Sequence, residues 1–114
     1  MTAALAALLL AAPAADAKLL DAAHAYVARS SAPGVTFDLQ VGAIRKNWAL
    51  LRTTNAKGAN GEALDDALVY MRRTKGRWQG AIMGTAITDD DLKQLGAPKL
   101  RPVWPTGTPC YPPQ

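Results

Sequence analysis

Hydrophobic residues recur every three or four positions between Lys18 and Ser30, the spacing that forms one apolar stripe along an amphipathic helix. The stripe consists of Leu19, Ala22, Ala23, Tyr26 and Val27. Pro33 and Gly34 follow closely and end the helix, because both residues break helical structure. His24, the only histidine, falls off this stripe and is expected to be half-exposed rather than catalytic.

The pattern then changes to the period of a β-strand. Apolar and polar residues alternate over Val35–Ile44, which predicts a strand with one buried face. The segment Trp48–Thr53 is apolar on both faces, as expected of a central strand. The sequence predicts a loop over residues 55–62. The four predicted strands are Val35–Ile44, Trp48–Thr53, residue 63 or 67 to residue 73, and Trp78–Gly84. Lys75-Gly76 between the last two predicts a tight hairpin turn, because Gly accepts positive φ.

A short helix is predicted after the strands. Thr88 is the candidate N-cap, and three consecutive aspartates, Asp89–Asp91, follow in the first turn, where carboxylates meet free amides and the positive end of the helix dipole. Calcium loops space their oxygen ligands at alternate positions around a Gly, so the aspartates favour capping over calcium binding. Gly96 and Pro98 end the helix. Five of the eight prolines lie after residue 99, in an irregular tail with Val103 and Trp104 as its expected anchors.

These elements predict an α+β fold in which the N-terminal helix packs on one face of a curved four-stranded antiparallel meander sheet. Consecutive strands joined by short loops pair with one another, and the helix is the available cover for the apolar face. A short C-terminal helix and an irregular tail complete the predicted chain.

The N-terminus predicts a cleavable signal peptide. Leu5–Ala12 is an uncharged apolar run, too short to span a bilayer and suited to a signal-peptide core. Ala15 and Ala17 supply small residues for cleavage after Ala17, although no Lys or Arg precedes the run. The alternative is the first turn of an alanine-rich helix. The predicted organisation is a signal peptide over 1–17, a domain over 18–98 and a Pro-rich tail over 99–114, with no membrane span in the mature chain and a periplasmic or secreted location.

Charge is concentrated in the middle of the chain. The sequence has 13 Lys and Arg against 9 Asp and Glu, and removal of residues 1–17 takes away Asp16 and raises the formal charge from +4 to +5. Eight of the bases fall between Arg45 and Arg77. Such a skew is compatible with a nucleic acid or another anionic partner, but no DNA- or RNA-binding module accompanies it, so a solvated surface is the favoured interpretation. Cys110 is the only cysteine and is interpreted as an incidental tail thiol.

Three short motifs carry a resemblance to known proteins. They are Asn47-Trp48-Ala49-Leu50-Leu51, Gly76-Arg77-Trp78 and Leu95-Gly96-Ala97-Pro98. About half of the chain, Trp48 to Pro98, resembles small uncharacterised bacterial exported proteins of the cystatin-like and NTF2-like α+β roll type. The resemblance implies a fold and a compartment but no activity. Cystatin-type protease inhibition is not implied, because the inhibitory Gln-x-Val-x-Gly loop is absent. Gln40-Val41-Gly42 matches this motif only in part, lies within a predicted strand and is interpreted as a chance match.

No catalytic motif is present. The sequence lacks a Gly-rich phosphate loop, a nucleophile elbow and a Cys/His metal cluster, and Asp38 has no partner for catalysis. The sequence therefore predicts a non-catalytic binding or accessory domain of the cell envelope, without cofactor or metal, whose partner is a protein or small molecule. The predicted ligand-binding residues are Trp48, Tyr70, Arg72 and Trp78, with core packing of the aromatics as the alternative. The second hypothesis is binding of a cationic surface to an anionic partner or nucleic acid, through Arg45, Lys46, Arg52, Arg72, Arg73, Lys75 and Arg77.

Overall fold

The computed structural model describes residues 14–105, which form two helices and one four-stranded antiparallel sheet in the order α1, β1, β2, β3, β4, α2. This confirms the predicted α+β fold. The elements are α1 (Ala14–Ser30), β1 (Thr36–Arg45), β2 (Trp48–Lys57), β3 (Leu68–Thr74), β4 (Arg77–Gly84) and α2 (Asp89–Leu95).

The sheet is an open meander in which each strand pairs with the next along the chain. Two-residue loops close both hairpins: Arg45 pairs with Trp48, and Thr74 pairs with Arg77. Lys75 and Gly76 have φ angles of 53° and 79°. Positive φ at both positions is what a type I′ turn requires, so the predicted tight turn is confirmed.

The first face of the sheet, which packs against α1, carries the main hydrophobic core. Leu19, Ala23 and Val27 of α1 are buried, as the helical stripe predicts. They meet residues of β2, β3 and the edge strand β4 that share one face, because side chains two apart on a strand point to the same face. The strand residues of this core are Ala49, Leu51, Val69, Met71 and Trp78.

The opposite, second face is also covered, which corrects the prediction of a single packed face. Leu50 and Tyr70 of this face form a second core with Leu92 of α2 and Leu100 beyond it. Residues 97–105, here called the C-terminal segment, cross this face, so packed structure continues past Pro98. Of the two expected anchors, Trp104 packs against this core, whereas the Val103 side chain is 82% exposed.

The C-terminal segment is attached to β1 at Gly42. The pairing of β1 with β2 shifts register between Val41 and Ala43, which leaves Gly42 as an extra residue. The carbonyl of Gly42 accepts a hydrogen bond from the Val103 amide at 2.9 Å. A Cβ at Gly42 would lie 2.5 Å from the Trp104 ring, so only glycine allows this close approach.

The predicted capping of α2 is confirmed. The Asp91 amide donates to the Thr88 hydroxyl at 3.1 Å, and the Thr88 amide donates to the Asp91 carboxylate at 3.0 Å. This reciprocal pair is a capping box. Gly96 ends the helix in the left-handed conformation with φ of 72°, as predicted.

Two boundaries differ from the prediction. Strand β2 continues to Lys57, into the segment predicted to be a loop; Asn55 there has φ of 53° and donates to the Asp38 carboxylate at 3.0 Å. Helix α1 begins at Ala14 and so includes the residues next to the predicted cleavage site. The predicted apolar run Leu5–Ala12 and Cys110 lie outside the described residues.

Candidate functional site

Six Lys and Arg side chains lie at one end of the sheet, here called the basic end. In a meander the β1–β2 and β3–β4 turns lie at the same end, and the pairing of Trp48 with Arg72 places the two hairpin tips side by side. Four strands about 4.8 Å apart make this end roughly 14 Å wide. The six residues are Arg45, Lys46, Arg72, Arg73, Lys75 and Arg77, and all except half-buried Arg73 are exposed.

Arg73 joins the two hairpin tips. Its guanidinium donates to the Lys46 carbonyl at 2.9 Å, and its Nε lies 3.4 Å from the Asn47 side-chain oxygen. The backbone amide of Arg73 also donates to the Asn47 carbonyl at 2.8 Å. These contacts hold the two hairpin tips side by side.

Two tryptophans lie beneath arginines of the basic end. The Arg72 guanidinium carbon is 5.2 Å from the Trp48 ring centroid, and that of Arg73 is 4.8 Å from the Trp78 ring centroid. Both distances are within the range of cation–π attraction. The arginines therefore cover one face of each ring.

The carboxylates of the sheet and its loops lie toward the other end. Asp38 is near the start of β1, opposite Thr54, and Glu62, Asp65 and Asp66 lie in the β2–β3 connection. Over residues 17–105, whose side chains the structure describes, none of the six cations of the basic end forms an ion pair with a carboxylate. The positive charge of this end is therefore not neutralised locally.

Arg52 does not belong to this surface, which corrects the predicted set of seven bases. It is 5% exposed on the second face, where its Nε donates to the Gln40 side chain at 2.9 Å. Its guanidinium carbon lies 4.4 Å from the Trp104 ring centroid. The C-terminal segment thus covers this charge.

The four predicted ligand-binding residues do not form one surface. Trp48, Tyr70 and Arg72 share the second face, where the two rings make an edge-on contact with centroids 6.5 Å apart. Trp78 lies in the core of the first face. Tyr70 is 3% exposed, and its hydroxyl accepts a hydrogen bond from the Leu100 amide at 3.1 Å.

The second face also contains a cleft of about 350 Å³ between the sheet, α2 and the C-terminal segment. Its wall is mostly apolar, and Asp89 and Lys99 are its charged residues. These two side chains form an exposed ion pair, with 3.3 Å between Lys99 Nζ and an Asp89 carboxylate oxygen. The apolar wall consists of Leu50, Leu68, Ile87, Leu92, Leu100, Pro102 and Trp104, together with Tyr70.

The sequence analysis did not predict the burial of Leu100 or the cleft, although residues of the C-terminal segment alternate in a pattern that indicates one buried side. Leu100, Pro102 and Trp104 alternate with Arg101 and Val103. That is the period of an extended chain with one buried side. The first three residues line the cleft, although Pro102 is also exposed, while Arg101 and Val103 are exposed and do not line it. The prolines obscured the pattern because they indicate an irregular tail.

The remaining candidate groups for catalysis are dispersed. His24 is exposed, rather than half-exposed as predicted, and stacks on Phe37 with ring centroids 4.6 Å apart. Burial raises the pKa of Tyr26, and the nearby Arg29 opposes this shift. Among the described side chains of residues 17–105, no three His, Cys, Asp or Glu are grouped so that they could hold a metal ion. No helix in that range has the length and apolarity needed to span a membrane.

Comparison of the chain with protein-family models, with curated proteins and with solved structures found no match. The resemblance to bacterial exported α+β rolls therefore stays a prediction.

Proposed function

We propose that this protein is a non-catalytic binding domain of the cell envelope that attaches through its basic end to an anionic lipid surface. The observation that carries the proposal is the group of six cations on two adjacent hairpin tips, none of them paired with a carboxylate of the described residues. Because the tips are held together by Arg73, the six cations extend from two adjacent, connected turns.

The strength expected from these charges fits reversible attachment. Each Lys or Arg near an anionic membrane surface contributes about 1 kcal/mol. Six of them contribute roughly 6 kcal/mol, which corresponds to a dissociation constant between about 1 mM and 1 μM. Such binding weakens steeply with salt, because the interaction is screened within about a Debye length.

Two features favour a lipid surface over nucleic acid. Proteins that bind single strands stack bases on aromatic side chains, but Trp48 and Trp78 are each covered on one face by an arginine, and Trp78 is buried. Ile44, directly before Arg45, is 44% exposed and supplies an aliphatic side chain beside the cations, as in interfacial attachment.

Location in the envelope is part of the proposal and is supported by the N-terminal sequence pattern. Within residues 17–30, the part of α1 whose side chains are described, the buried ones are Leu19, Ala23 and Val27, so cleavage after Ala17 would keep these core side chains. Edman sequencing of protein recovered from a periplasmic extract tests this. A start at Lys18 supports export, and an intact N-terminus in the cytoplasm contradicts it.

Attachment is tested by cosedimentation with vesicles of phosphatidylglycerol and phosphatidylcholine, against vesicles of phosphatidylcholine alone. We expect binding only to the anionic vesicles, and loss of most of it between 50 and 200 mM salt, as about six screened charges imply. The variant Lys46→Gln/Lys75→Gln/Arg77→Gln is expected to lose binding by about 100-fold, at about 1 kcal/mol per charge.

The matched control is Lys57→Gln/Lys93→Gln/Arg101→Gln, which removes three exposed cations outside the basic end. Its net charge equals that of the triple variant at the basic end. It is expected to retain most of the binding. An equal loss in both variants would show that net charge alone is responsible. Binding of duplex or single-stranded DNA without binding of anionic vesicles would overturn the lipid proposal in favour of nucleic acid.

A further inference from the structure

We propose that the cleft of the second face binds a small amphiphile that has an apolar body and a carboxylate head. The body would lie among the apolar side chains of the sheet, α2 and the C-terminal segment, and the head would bind Lys99 at the rim. This site is separate from the basic end, and the inference does not rest on the proposed function.

The wall of the cleft determines the body of the ligand. Strand residues such as Leu50 and Leu68 form the floor, and Ile87, Leu100 and Trp104 form the sides. The volume of about 350 Å³ corresponds to roughly twelve water molecules in the liquid. It is at the small end of the range for ligand pockets, whose walls are mostly apolar with a few placed polar groups. An aliphatic chain of about eight carbons suits this size.

The rim determines the head group. Lys99 and Asp89 are 75% and 79% exposed, and an ion pair so exposed contributes little to stability. Lys99 can therefore exchange the Asp89 carboxylate for that of a ligand at small cost. The Asp89 carboxylate competes with the ligand carboxylate for Lys99, and the ligand can bind Lys99 only when Asp89 turns away. Asp89 therefore opposes binding.

A second donor lies in the wall next to Lys99. The Tyr70 hydroxyl accepts the Leu100 amide hydrogen, and over residues 14–105 its own proton has no acceptor. Tyr70 is 3% exposed and lines the cleft. A hydroxyl is both donor and acceptor, so this proton is available to a carboxylate oxygen. The Lys99 ammonium at the rim and the Tyr70 hydroxyl in the wall are both donors, which favours an anionic head over a cationic one.

The test is titration of the full-length, ¹⁵N-labelled protein with sodium octanoate, followed by NMR. The expected result is saturable shifts of the Leu68, Tyr70 and Leu100 amides. Octyltrimethylammonium and 1-octanol have the same chain with a cationic or an uncharged head. Both are expected to bind at least threefold more weakly. Absence of shifts at these amides, or equal affinity for octyltrimethylammonium, would overturn the proposal.

Two variants of the same ion pair separate ligand binding from a structural role. Lys99→Gln is expected to weaken octanoate binding, and Asp89→Asn to strengthen it, each by about threefold, the scale of an exposed charge interaction. If the pair only supported the fold, both variants would change binding in the same direction, which would overturn the assignment of Lys99.

Two further variants serve as controls. Lys93→Gln removes an exposed cation of α2 that does not line the cleft, and it is expected to leave octanoate affinity unchanged. The variant Lys46→Gln/Lys75→Gln/Arg77→Gln at the basic end is also expected to leave octanoate affinity unchanged. Loss of vesicle binding can therefore be distinguished from loss of octanoate binding. A loss in either control equal to that of Lys99→Gln would show that octanoate is attracted by net charge alone.

Discussion

The two faces of the sheet are covered in different ways. One 17-residue helix, α1, lies over the first face, whereas the second face is covered by the seven-residue α2 and the extended C-terminal segment. The five largest fully buried side chains, Leu19, Val27, Leu51, Val69 and Met71, all belong to the first-face core. In the second-face core the buried residues are between 3% and 6% exposed and none is fully buried, whereas the first-face core combines these fully buried residues with Trp78 at 9%.

The difference follows from geometry. A helix presents a continuous apolar stripe, so its side chains fill the space above a sheet along its whole length. The second face is covered by elements attached at separate points, namely the Gly42 carbonyl and the Tyr70 hydroxyl, and a cleft is left between them. We infer that the first face stabilises the fold and that the second face has room for a ligand.

The sharpest test of this comparison uses two adjacent residues. Leu50 and Leu51 of β2 point to opposite faces and are 3% and 0% exposed. Leu51→Ala is expected to lower the free energy of unfolding by about 4 kcal/mol, because the closed core leaves a cavity. Leu50→Ala is expected to cost only about 2.5 kcal/mol, since Leu50 borders an existing cleft into which neighbours can relax.

Urea denaturation measures both values. Equal losses would show that the second face is as tightly packed as the first, and the comparison would fail.

The attachment of the C-terminal segment is tested at Gly42. A methyl group there would lie 2.5 Å from the Trp104 ring, so Gly42→Ala is expected to cost about 2 kcal/mol through overpacking. The cost should fall only in part in the Trp104→Ala background, because the ring is removed but the Pro102 Cβ, 2.7 Å from the same position, remains. A double-mutant cycle in thermal or urea unfolding measures this coupling. Additive losses would mean that the contact between Gly42 and Trp104 does not hold the segment.

Much of the fold was predictable from the sequence because its signals are local. The helical stripe of α1, the Lys75-Gly76 turn and the Thr88 cap each depend on residues close along the chain. Propensity, turn chemistry and capping act over that range. The basic end was only half predictable: the sequence shows the cluster of bases, but the strand pairing determines that six of them meet at one end.

The second face was not predictable in the same way. Burial of Arg52 depends on Trp104, which lies 52 residues further along the chain, and on Gln40 of the neighbouring strand. Close approach at Gly42 likewise depends on a bulge and on Trp104. Such contacts between distant residues leave no periodic signal in either segment alone, so a charged strand residue was interpreted as part of the surface.

A smaller effect is expected from the hydroxyl of Tyr70. Tyr70→Phe removes the acceptor of the buried Leu100 amide and is expected to cost about 1.5 kcal/mol, since a buried donor is left unsatisfied. Tyr26→Phe makes the same change on the first-face side, where the Tyr26 hydroxyl has no hydrogen bond with the described residues. It is expected to be near neutral. Similar losses in both variants, measured by urea unfolding, would contradict a specific role of the Tyr70 hydroxyl.

The smallest effect is expected at the cap of α2, and it tests whether the second face opens locally. Thr88→Ala removes the hydroxyl that accepts the Asp91 amide and is expected to cost about 1 kcal/mol. Because α2 and the C-terminal segment are attached separately from the main core, hydrogen exchange should accelerate at Leu92 and Leu100 and stay unchanged at Leu51 and Val69. Ser at the same position keeps the hydroxyl, so Thr88→Ser should restore slow exchange. Uniform acceleration across both faces would show that the cover of the second face unfolds only together with the whole domain, and a cleft that opens by itself to admit a ligand would then be excluded.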